Sequence, residues 1–252
     1  RTTPEASDLQ ALLATMVERG VGAVAMEVSS HSLALHRVDG TSFDVVGFTN
    51  LSQDHLDFHR DLDDYFAAKA RLFTPAFAPV GVVNYDDEHG RRLLAAPAIR
   101  LVSFSTDGHP DADWRASDVV TGRSGSRFVA HGPGIDGAGL EVTLRLVGRF
   151  NVANALAALA MLACQGLDLA RAAEGLATLP GVPGRLEAVD AGQPFSVFVD
   201  YAHTPQAVVT SLETVRETTS GRLIVVLGCG GDRDAAKRPL MGEAAARLAD
   251  AV

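Results

Sequence analysis

The feature that most constrains the fold is an alternation of short apolar runs with helical patterns in the first part of the chain. Each run is too short for a buried helix and rich in valine or other apolar residues, which is typical of a strand covered on both faces. The runs are Val21–Val28, Phe43–Thr49, Val80–Asn84 and Ile99–Phe104, with helical patterns at 62–73 and 87–96. A succession of strand, helix and strand predicts a mostly parallel sheet and an α/β fold.

A different pattern follows this region. Three segments alternate polar and apolar residues between glycine-rich turns, which predicts antiparallel strands at an edge of the sheet or in a flap. They are Trp114–Val120, Ser126–His131 and Leu140–Val147. Two helices are predicted next, one over Asn151–Cys164 capped by Asn151, and one that Asp168 caps and that runs to about Leu179.

The proline- and glycine-rich stretch at 180–184 is the best linker in the chain, so we place a domain boundary there. The predicted domains are residues 1–180 and 181–252. In the second domain, Phe195–Val199 and Leu223–Leu227 are predicted to be buried strands on either side of a helix from Thr204 to about Thr218. A last helix is expected to begin near Ala235 and to continue to the end of the chain.

Charge and cysteine content exclude several classes of protein. The 252 residues include 31 Asp and Glu against 22 Lys and Arg, a net charge of −9, which disfavours binding to nucleic acid or anionic membranes. Cys164 and Cys229 lack metal-ligand spacing and indicate a reducing compartment, which favours the cytoplasm. The longest near-apolar run, Ala155–Cys164, is well below the ~18 residues of a membrane-spanning helix.

Polar residues follow four of the predicted strands. Glu27, Asn50 and Asp200 each close or follow one strand, and the turn 228–233 follows a fourth. Ligands of open α/β sheets bind at the carboxyl ends of the strands, where loops meet helix N-termini. Glu27 should be desolvated unless it meets a cation, so it is either a metal ligand or the partner of a structural salt bridge.

The loop and helix at 48–73 concentrate the residues that can carry chemistry. Asn50, His55 and Lys69 lie here with two aspartates and a second histidine. Alone, His55 is compatible with a helix-capping imidazole, and Lys69 with a solvated helix lysine. Asn151 and Asn154 share a helical face, so they could contact a ligand at the N-terminus of their helix.

Phosphate-binding signals are weak when taken individually. The glycine-rich turn GCGGDRD can wrap an anion with backbone N–H groups, but a tight strand-to-helix turn explains it equally well. The phosphate-loop pattern G-x-x-x-x-G-K-[ST] does not occur in the sequence.

Together, the motifs occur in a specific order. They are TTPEA, MEVSSHSLALHRV, FTNLSQDHLDFH, YFAAKARLF, GRFNVANALAA, VPGRLE, VDYAHTP and GCGGDRDAAKRPLMG. This series resembles the Mur ligases, specifically the branch that adds the third peptide residue to UDP-N-acetylmuramoyl-L-alanyl-D-glutamate. The resemblance implies an internal fragment: most of a central P-loop-type ATP-binding domain without its phosphate loop, then the front half of a Rossmann-like domain. Such a fragment would be nearly inactive alone.

The resemblance also implies roles for individual residues. Glu27, His55 and Lys69 correspond to the ligands of two Mg²⁺ ions, with Lys69 carbamylated by CO2, and Lys69 and His203 are the implied catalytic residues. The nucleotide-side positions are Asn50, Asn151, Asn154, Arg185, Asp200 and His203. Thr2, Thr3, Ser29 and Arg37 match positions that hold the muramoyl dipeptide, and Arg233 matches the residue that meets the carboxylate of diaminopimelate. Asp54, Asp57 and His59 are interpreted as loop-shaping or supporting residues.

The implied function is a cytoplasmic, monomeric, ATP-dependent ligase of peptidoglycan biosynthesis that joins diaminopimelate to the muramoyl dipeptide through an acyl phosphate. Arg233 favours diaminopimelate over lysine. Two alternatives remain open at this point. One is a sibling ligase such as MurF or a folylpolyglutamate synthase. The other is a non-catalytic module that binds a nucleotide sugar or a metal.

Overall fold

A computed structural model describes residues 2–229 and 235–252. Its first twelve elements are α1 (Ala6–Glu18), α2 (Ser30–Ala34), β1 (Val46–Phe48), α3 (Leu62–Ala70), β2 (Val80–Asn84), α4 (Glu88–Ala95), β3 (Arg100–Ser105), β4 (Trp114–Gly122), β5 (Gly125–His131), β6 (Leu140–Leu144), α5 (Arg149–Cys164) and α6 (Leu169–Thr178). The remaining elements are β7 (Glu187–Ala188), β8 (Phe198–Val199), α7 (Pro205–Glu217) and α8 (Lys237–Leu248).

The first six strands form one sheet in the order β1-β2-β3-β4-β5-β6. The pairs from β1 to β4 are parallel, and the two pairs from β4 to β6 are antiparallel. Helix α3 connects β1 to β2 and helix α4 connects β2 to β3, as parallel strands require. The α/β fold with a mostly parallel sheet, and the antiparallel strands at its edge, are therefore confirmed.

Both faces of the sheet are covered. Val82 and Val83 are neighbours in β2 and each is fully buried, but Val82 belongs to a core with α5 and Val83 to a core with α2 and α3. Successive strand residues point to opposite faces, so these two valines mark the two sides of a three-layer arrangement. On the α5 side, Leu156 and Leu159 are fully buried against a core that includes Trp114.

The segment Val21–Val28 is not a strand, so that prediction is wrong. Within the described residues, no strand pairs with this segment, so its backbone makes no ladder of inter-strand hydrogen bonds. Val21 and Val24 are 46% and 47% exposed, and Glu27 is exposed rather than desolvated. One local anchor is Thr3, whose Oγ1 donates to the Glu27 carbonyl at 3.0 Å and accepts from the Ser29 N–H at 3.2 Å.

The last part of the chain packs separately around α7 and α8. Val208 and Leu212 of α7 contact Met241 of α8 in a small buried cluster. The prediction of a strand over Leu223–Leu227 is wrong, because Ile224 makes only an isolated parallel bridge with Ala251. The prediction that the last helix continues to the chain end is also wrong, since α8 ends at Leu248.

Helix caps agree only partly with the sequence predictions. Asp168 caps α6 as predicted, accepting hydrogen bonds from the N–H groups of Ala170 and Arg171. Asn151 does not cap α5, because that helix begins two residues earlier after Gly148. Its Nδ2 instead donates to the Val147 carbonyl at 2.9 Å. No described helix has both the length and the apolar character required to cross a membrane.

Candidate active site

The loop between β1 and α3 is held by the neighbouring crossover. Asp87 divides its carboxylate between two structures: Oδ1 caps α4 by accepting from the N–H groups of His89 and Gly90, and Oδ2 accepts from the Leu51 N–H at 3.2 Å. Asn84, at the end of β2, donates from Nδ2 to the Thr49 carbonyl at 2.7 Å. The start of the loop is thereby fixed to the carboxyl end of the sheet.

His55 lies in this loop with a left-handed backbone, φ 57°, which asparagine, aspartate and histidine adopt more readily than most residues. The Asp54 carboxylate supports this conformation by accepting from the His55 N–H at 2.9 Å. The His55 ring meets the His31 ring edge-on at 4.7 Å between centroids. Burial lowers the pKa of His55, against the opposing attraction of Asp54 and Asp57. The shift favours the neutral imidazole, which is the form that binds metals.

Lys69, in α3, is half-buried and lies over the ring of Tyr65, with Nζ 5.2 Å from the ring centroid. Burial lowers the pKa of the Lys69 amine, and the carboxylates of Glu27 and Asp54 act in the opposite direction. A lowered pKa increases the fraction of neutral amine, which is the nucleophilic form.

Tyr65 lies at the base of this group. Burial and the nearby carboxylates of Asp54 and Glu27 raise the pKa of its phenol to about 12. The same two carboxylates act on Tyr65 and on Lys69, so the exposed Glu27, the loop and α3 share one electrostatic neighbourhood. His59 stacks on the Tyr65 ring at 5.0 Å between centroids. Its Nε2 lies 2.9 Å from Ser30 Oγ.

Asp54 has contacts that the sequence did not predict. Its Oδ2 lies 3.5 Å from His55 Nε2 and 3.6 Å from His203 Nε2, and its Oδ1 lies 3.7 Å from Lys237 Nζ. Asp54 thus joins the loop to the last part of the chain. The His203 Nδ1 atom lies 2.9 Å from the Tyr201 carbonyl and donates to it, so Nε2 is the ring nitrogen that faces the Asp54 carboxylate.

A cavity of about 490 Å³ lies where the loop meets the last part of the chain. Its lining residues are Asp54, His55, Asp57, Asp200, Tyr201, Ala202, His203, Gly228, Cys229, Lys237, Arg238 and Met241. Of the residues with a predicted metal or nucleotide contact, the cavity therefore brings together His55, Asp200 and His203. It also includes Asp54 and Lys237. The adjacent pair of Lys237 and Arg238 gave no separate signal in the sequence.

Asp200 and Arg185, two predicted nucleotide residues, both lie close to Tyr201. Asp200 accepts hydrogen bonds from the Leu186 N–H and the Ser211 hydroxyl, which orients the turn before Tyr201. Arg185 is exposed, with its guanidinium 5.8 Å from the Tyr201 ring centroid.

The three predicted asparagines divide between surface and interior. Asn151 is buried, and Asn50 and Asn154 are exposed. None of the three lines this cavity.

The predicted dipeptide-binding residues surround the start of α2. Ser29 caps that helix by accepting from the Ser32 N–H, and Thr3 is buried against the Glu27–Ser29 backbone. Arg37 Nε pairs with the Glu5 carboxylate at 3.0 Å, and Thr2 is exposed. Arg233 lies outside the described residues, so its predicted contact with the amino acid substrate stays a prediction.

The side chains that could bind a metal are not arranged as a complete site. Among the described residues, no group of three or more His, Cys, Asp or Glu side chains is arranged to hold a metal ion. Glu27 is exposed and therefore able to ligate, and burial keeps His55 neutral. A carbamate on the activated Lys69 amine would add oxygen donors, which Mg²⁺ prefers. Glu27 and His55 therefore supply donors that are compatible with Mg²⁺, and both lie within electrostatic range of Lys69.

Comparison with known families agrees with this arrangement. Residues 1–162 match the family described as the Mur ligase middle domain, and residues 184–252 match the family described as Mur ligase, glutamate ligase domain. The first match covers more than half of the chain. The chain belongs to the Mur ligase family. Two Mur ligase domain types thus meet where loop 49–61 faces the segment containing His203.

Individual Mur ligases match over the whole chain. The chain is 59% identical over 252 residues to the "UDP-N-acetylmuramoyl-L-alanyl-D-glutamate--2,6-diaminopimelate ligase" of Streptomyces avermitilis, covering 99% of the chain and 49% of that protein. It is 46% identical over 255 residues to the "UDP-N-acetylmuramyl-tripeptide synthetase" of Leifsonia xyli, covering 100% of the chain and 49% of that protein.

A solved structure gives the same result. It is described as a "UDP-N-acetylmuramoyl-L-alanyl-D-glutamate--2,6-diaminopimelate ligase" and aligns with a TM-score of 0.75 at 34% identity, covering 99% of this chain and 51% of that one. The chain spans about half the length of the curated relatives it matches.

Proposed function

We propose that the chain is the part of an ATP-dependent Mur ligase that joins diaminopimelate to UDP-N-acetylmuramoyl-L-alanyl-D-glutamate during peptidoglycan biosynthesis. The printed names of its relatives support this substrate pair. The structural observation that carries the proposal is the half-buried Lys69 amine, whose pKa is lowered although Glu27 and Asp54 lie nearby. A half-buried amine beside two carboxylates differs from a solvated helix lysine and favours a chemical role for Lys69.

The proposed reaction has two steps. The D-glutamyl carboxylate attacks the γ-phosphorus of ATP and releases ADP, which gives an acyl phosphate. The amine of diaminopimelate then attacks the acyl carbon, phosphate leaves, and the amine loses a proton as the amide forms. Bringing a carboxylate, ATP and an amine together is largely a matter of positioning and charge neutralisation.

Two Mg²⁺ ions held by Glu27, His55 and carbamylated Lys69 would supply part of that neutralisation. Lys69 would gain its ligand oxygens by carbamylation. Its neutral Nζ attacks the carbon of CO2, an N–C bond forms, and one proton leaves to solvent. The product is an anionic carbamate in place of a cation. The phenol of Tyr65 stays protonated at neutral pH and keeps a further negative charge out of this group.

The remaining predicted roles belong to this proposal. Asn50, Asn151, Asn154, Arg185, Asp200 and His203 are proposed to contact the nucleotide. Thr2, Thr3, Ser29 and Arg37 are proposed to hold the muramoyl dipeptide. We also propose a domain boundary at residues 180–181. The protein is proposed to be a cytoplasmic monomer with a resulting role in cell shape and division.

The test is ligation by the full-length protein after Lys69→Ala substitution. Loss of the carbamate should lower kcat by about 100-fold or more, since it removes a group that stabilises charge at the reacting atoms. Formate or acetate, which can replace the missing carboxylate, should restore part of the activity. ¹³CO2 should also give a carbamate signal by NMR in the unsubstituted protein. Full activity of Lys69→Ala without any added carboxylate would contradict the carbamate role.

The identity of the added amino acid needs its own experiment. Arg233 supports diaminopimelate, but the tripeptide synthetase name of one relative does not specify the third residue. Ligation assays with diaminopimelate, L-lysine, D-alanyl-D-alanine and L-glutamate would separate the proposal from a lysine-adding enzyme and from the sibling ligases. ATP hydrolysis without incorporation of any acceptor would contradict all of these assignments.

A further inference from the structure

The use of lysine in this chain is unusual. Of its 22 basic Lys and Arg residues only two are lysines, Lys69 and Lys237. Arginine is the default cation elsewhere, including the surface ion pairs of Arg92 and Arg216. The two lysines are far apart in sequence, yet both lie within electrostatic reach of the Asp54 carboxylate. Since Lys69 already has a proposed chemical role, Lys237 needs an explanation as well.

The contact of Lys237 with Asp54 is loose. Its Nζ lies 3.7 Å from Asp54 Oδ1, and its side chain is only 18% exposed. A charge-assisted hydrogen bond between an ammonium and a carboxylate is usually 2.7–2.9 Å long. The pair is therefore an ion pair that a better anion can replace, unlike the Arg216–Asp250 pair at 2.6 Å.

The surroundings of Lys237 fit an anion. His203 approaches the same carboxylate at 3.6 Å, and Lys237, His203, His55 and Arg238 all line the 490 Å³ cavity. The acidic side chains that face the same space are those of Asp54, Asp57 and Asp200. The two oxygens of Asp200 already accept hydrogen bonds from Leu186 and Ser211. Asp54 is thus the carboxylate that approaches both Lys237 and His203.

We propose that Lys237 is a phosphate-positioning residue and that Asp54 occupies it until a phosphate group enters the cavity. This deepens the proposed function, because the transferred phosphoryl group is the anion that the reaction would bring there. A compact ammonium can move from one anion to another, whereas the planar fork of arginine would hold Asp54 in a bidentate pair.

Asp54 and Lys237 should therefore have opposite effects on phosphate binding, which a purely structural salt bridge would not produce. Binding of inorganic phosphate can be followed by ³¹P NMR on the chain as it stands. Lys237→Met should weaken binding about 5-fold or more, because a partly buried cation is lost. Asp54→Asn should strengthen it about 2- to 5-fold, because the competing anion is removed. In the double variant, the Asp54→Asn gain should disappear.

Arg216→Gln is the matched control, since it also removes one positive charge and one ion pair from the last part of the chain. It should leave phosphate binding unchanged. The proposal is overturned if the unsubstituted chain shows no saturable phosphate binding, or if Asp54→Asn weakens binding as Lys237→Met does. It is also overturned if Arg216→Gln has the same effect as Lys237→Met. Because no ligation is measured, failure of this experiment is distinct from failure of the proposed function.

Discussion

The phenol of Tyr65 should ionise well above the usual pH range of a tyrosine. Its pKa is raised to about 12, so the phenol stays protonated in the folded state while an unfolded tyrosine ionises near 10. The sign follows: stability is unaffected below pH 10 and falls as pH rises from 10 to 12, by up to about 3 kcal/mol. Absorbance at 295 nm during a pH titration should show one late phenolate transition. Tyr65→Phe should remove it, and its persistence in that variant would contradict the assignment.

Replacing Lys69 by methionine should stabilise the fold in CO2-free buffer. The pKa of Lys69 is lowered in the folded state, so the unfolded chain binds the proton more tightly and the buried charge opposes folding. This penalty is fully present below the folded pKa and disappears as pH rises to the unfolded value of about 10.5. Lys69→Met should therefore raise the free energy of unfolding at pH 7 by about 1 kcal/mol, measured by urea denaturation.

Arg60→Gln is the control for that experiment, because it removes a positive charge from an exposed side chain near the same helix. Its free energy of unfolding should change by less than about 0.5 kcal/mol. A loss of stability in Lys69→Met at pH 7 would mean that Glu27 and Asp54 outweigh the cost of burial.

At the residue scale, the sequence singled out His55 and Lys69 because their residue types and order resemble a known motif. It could not show that Asp54 meets His203 and Lys237, because those contacts join residues about 150 and 180 positions apart. Nothing in the local pattern around Asp54 separates it from Asp57, which has the same residue type in the same loop. Only the approach of the two parts of the chain distinguishes them.

The start of α5 approaches α7 at Gly148. Gly148, with φ 98°, precedes α5, and a Cβ there would lie 2.6 Å from Thr214 Cγ2 of α7. Gly148→Ala should lower the free energy of unfolding by about 1–3 kcal/mol, through backbone strain and the clash with α7.

Gly175→Ala is the matched control in α6, where an added Cβ meets nothing within 4 Å. Alanine has the higher helix propensity, so this variant should be about 0.5–1 kcal/mol more stable. Thermal unfolding of both variants tests the opposite signs. Equal effects would contradict the close approach of α5 and α7.

At the element scale, the sequence predicted the strands of the six-stranded sheet and failed outside it. The predicted buried strand Phe195–Val199 is only the two-residue β8, with Phe195 66% exposed, and its partner β7 was not predicted. Val80–Asn84 was predicted with its observed bounds, because β1 and β3 cover both of its edges. Val21–Val28 has the same apolar character but no partner strand among the described residues. Apolar periodicity reports what a segment can bury, whereas strand formation also depends on its neighbours. The start of α5 was missed for a related reason, since Gly148 gave no capping signal.

The last part of the chain should unfold more readily than the rest. Its buried cluster is small, whereas α5 packs in a much larger core with the six-stranded sheet. Leu212→Ala should lower the local stability of α7 and α8 by about 2–4 kcal/mol. Hydrogen exchange should then quicken in those helices and remain unchanged in α5. Leu156→Ala, at a fully buried site in α5, should instead quicken exchange throughout the sheet. Uniform exchange in Leu212→Ala would contradict two separate cores.

At the scale of the whole molecule, the fold class was predictable because alternating strand and helix patterns leave few ways to pair the strands. The family was predictable because its motifs occur in one order along the chain. The cavity was not, because its wall joins loop 49–61 to segments after residue 199, and no local pattern specifies how two such parts meet.

Asp87 couples the stability of α4 to the order of the loop between β1 and α3. One carboxylate oxygen caps α4 and the other holds the loop that precedes His55. If the two hydrogen bonds form together, a ligand that orders the loop also stabilises the cap of α4. Any change that frays α4 then lowers the affinity for that ligand by the same factor. Through this carboxylate, α4 takes part in any binding equilibrium that orders the loop.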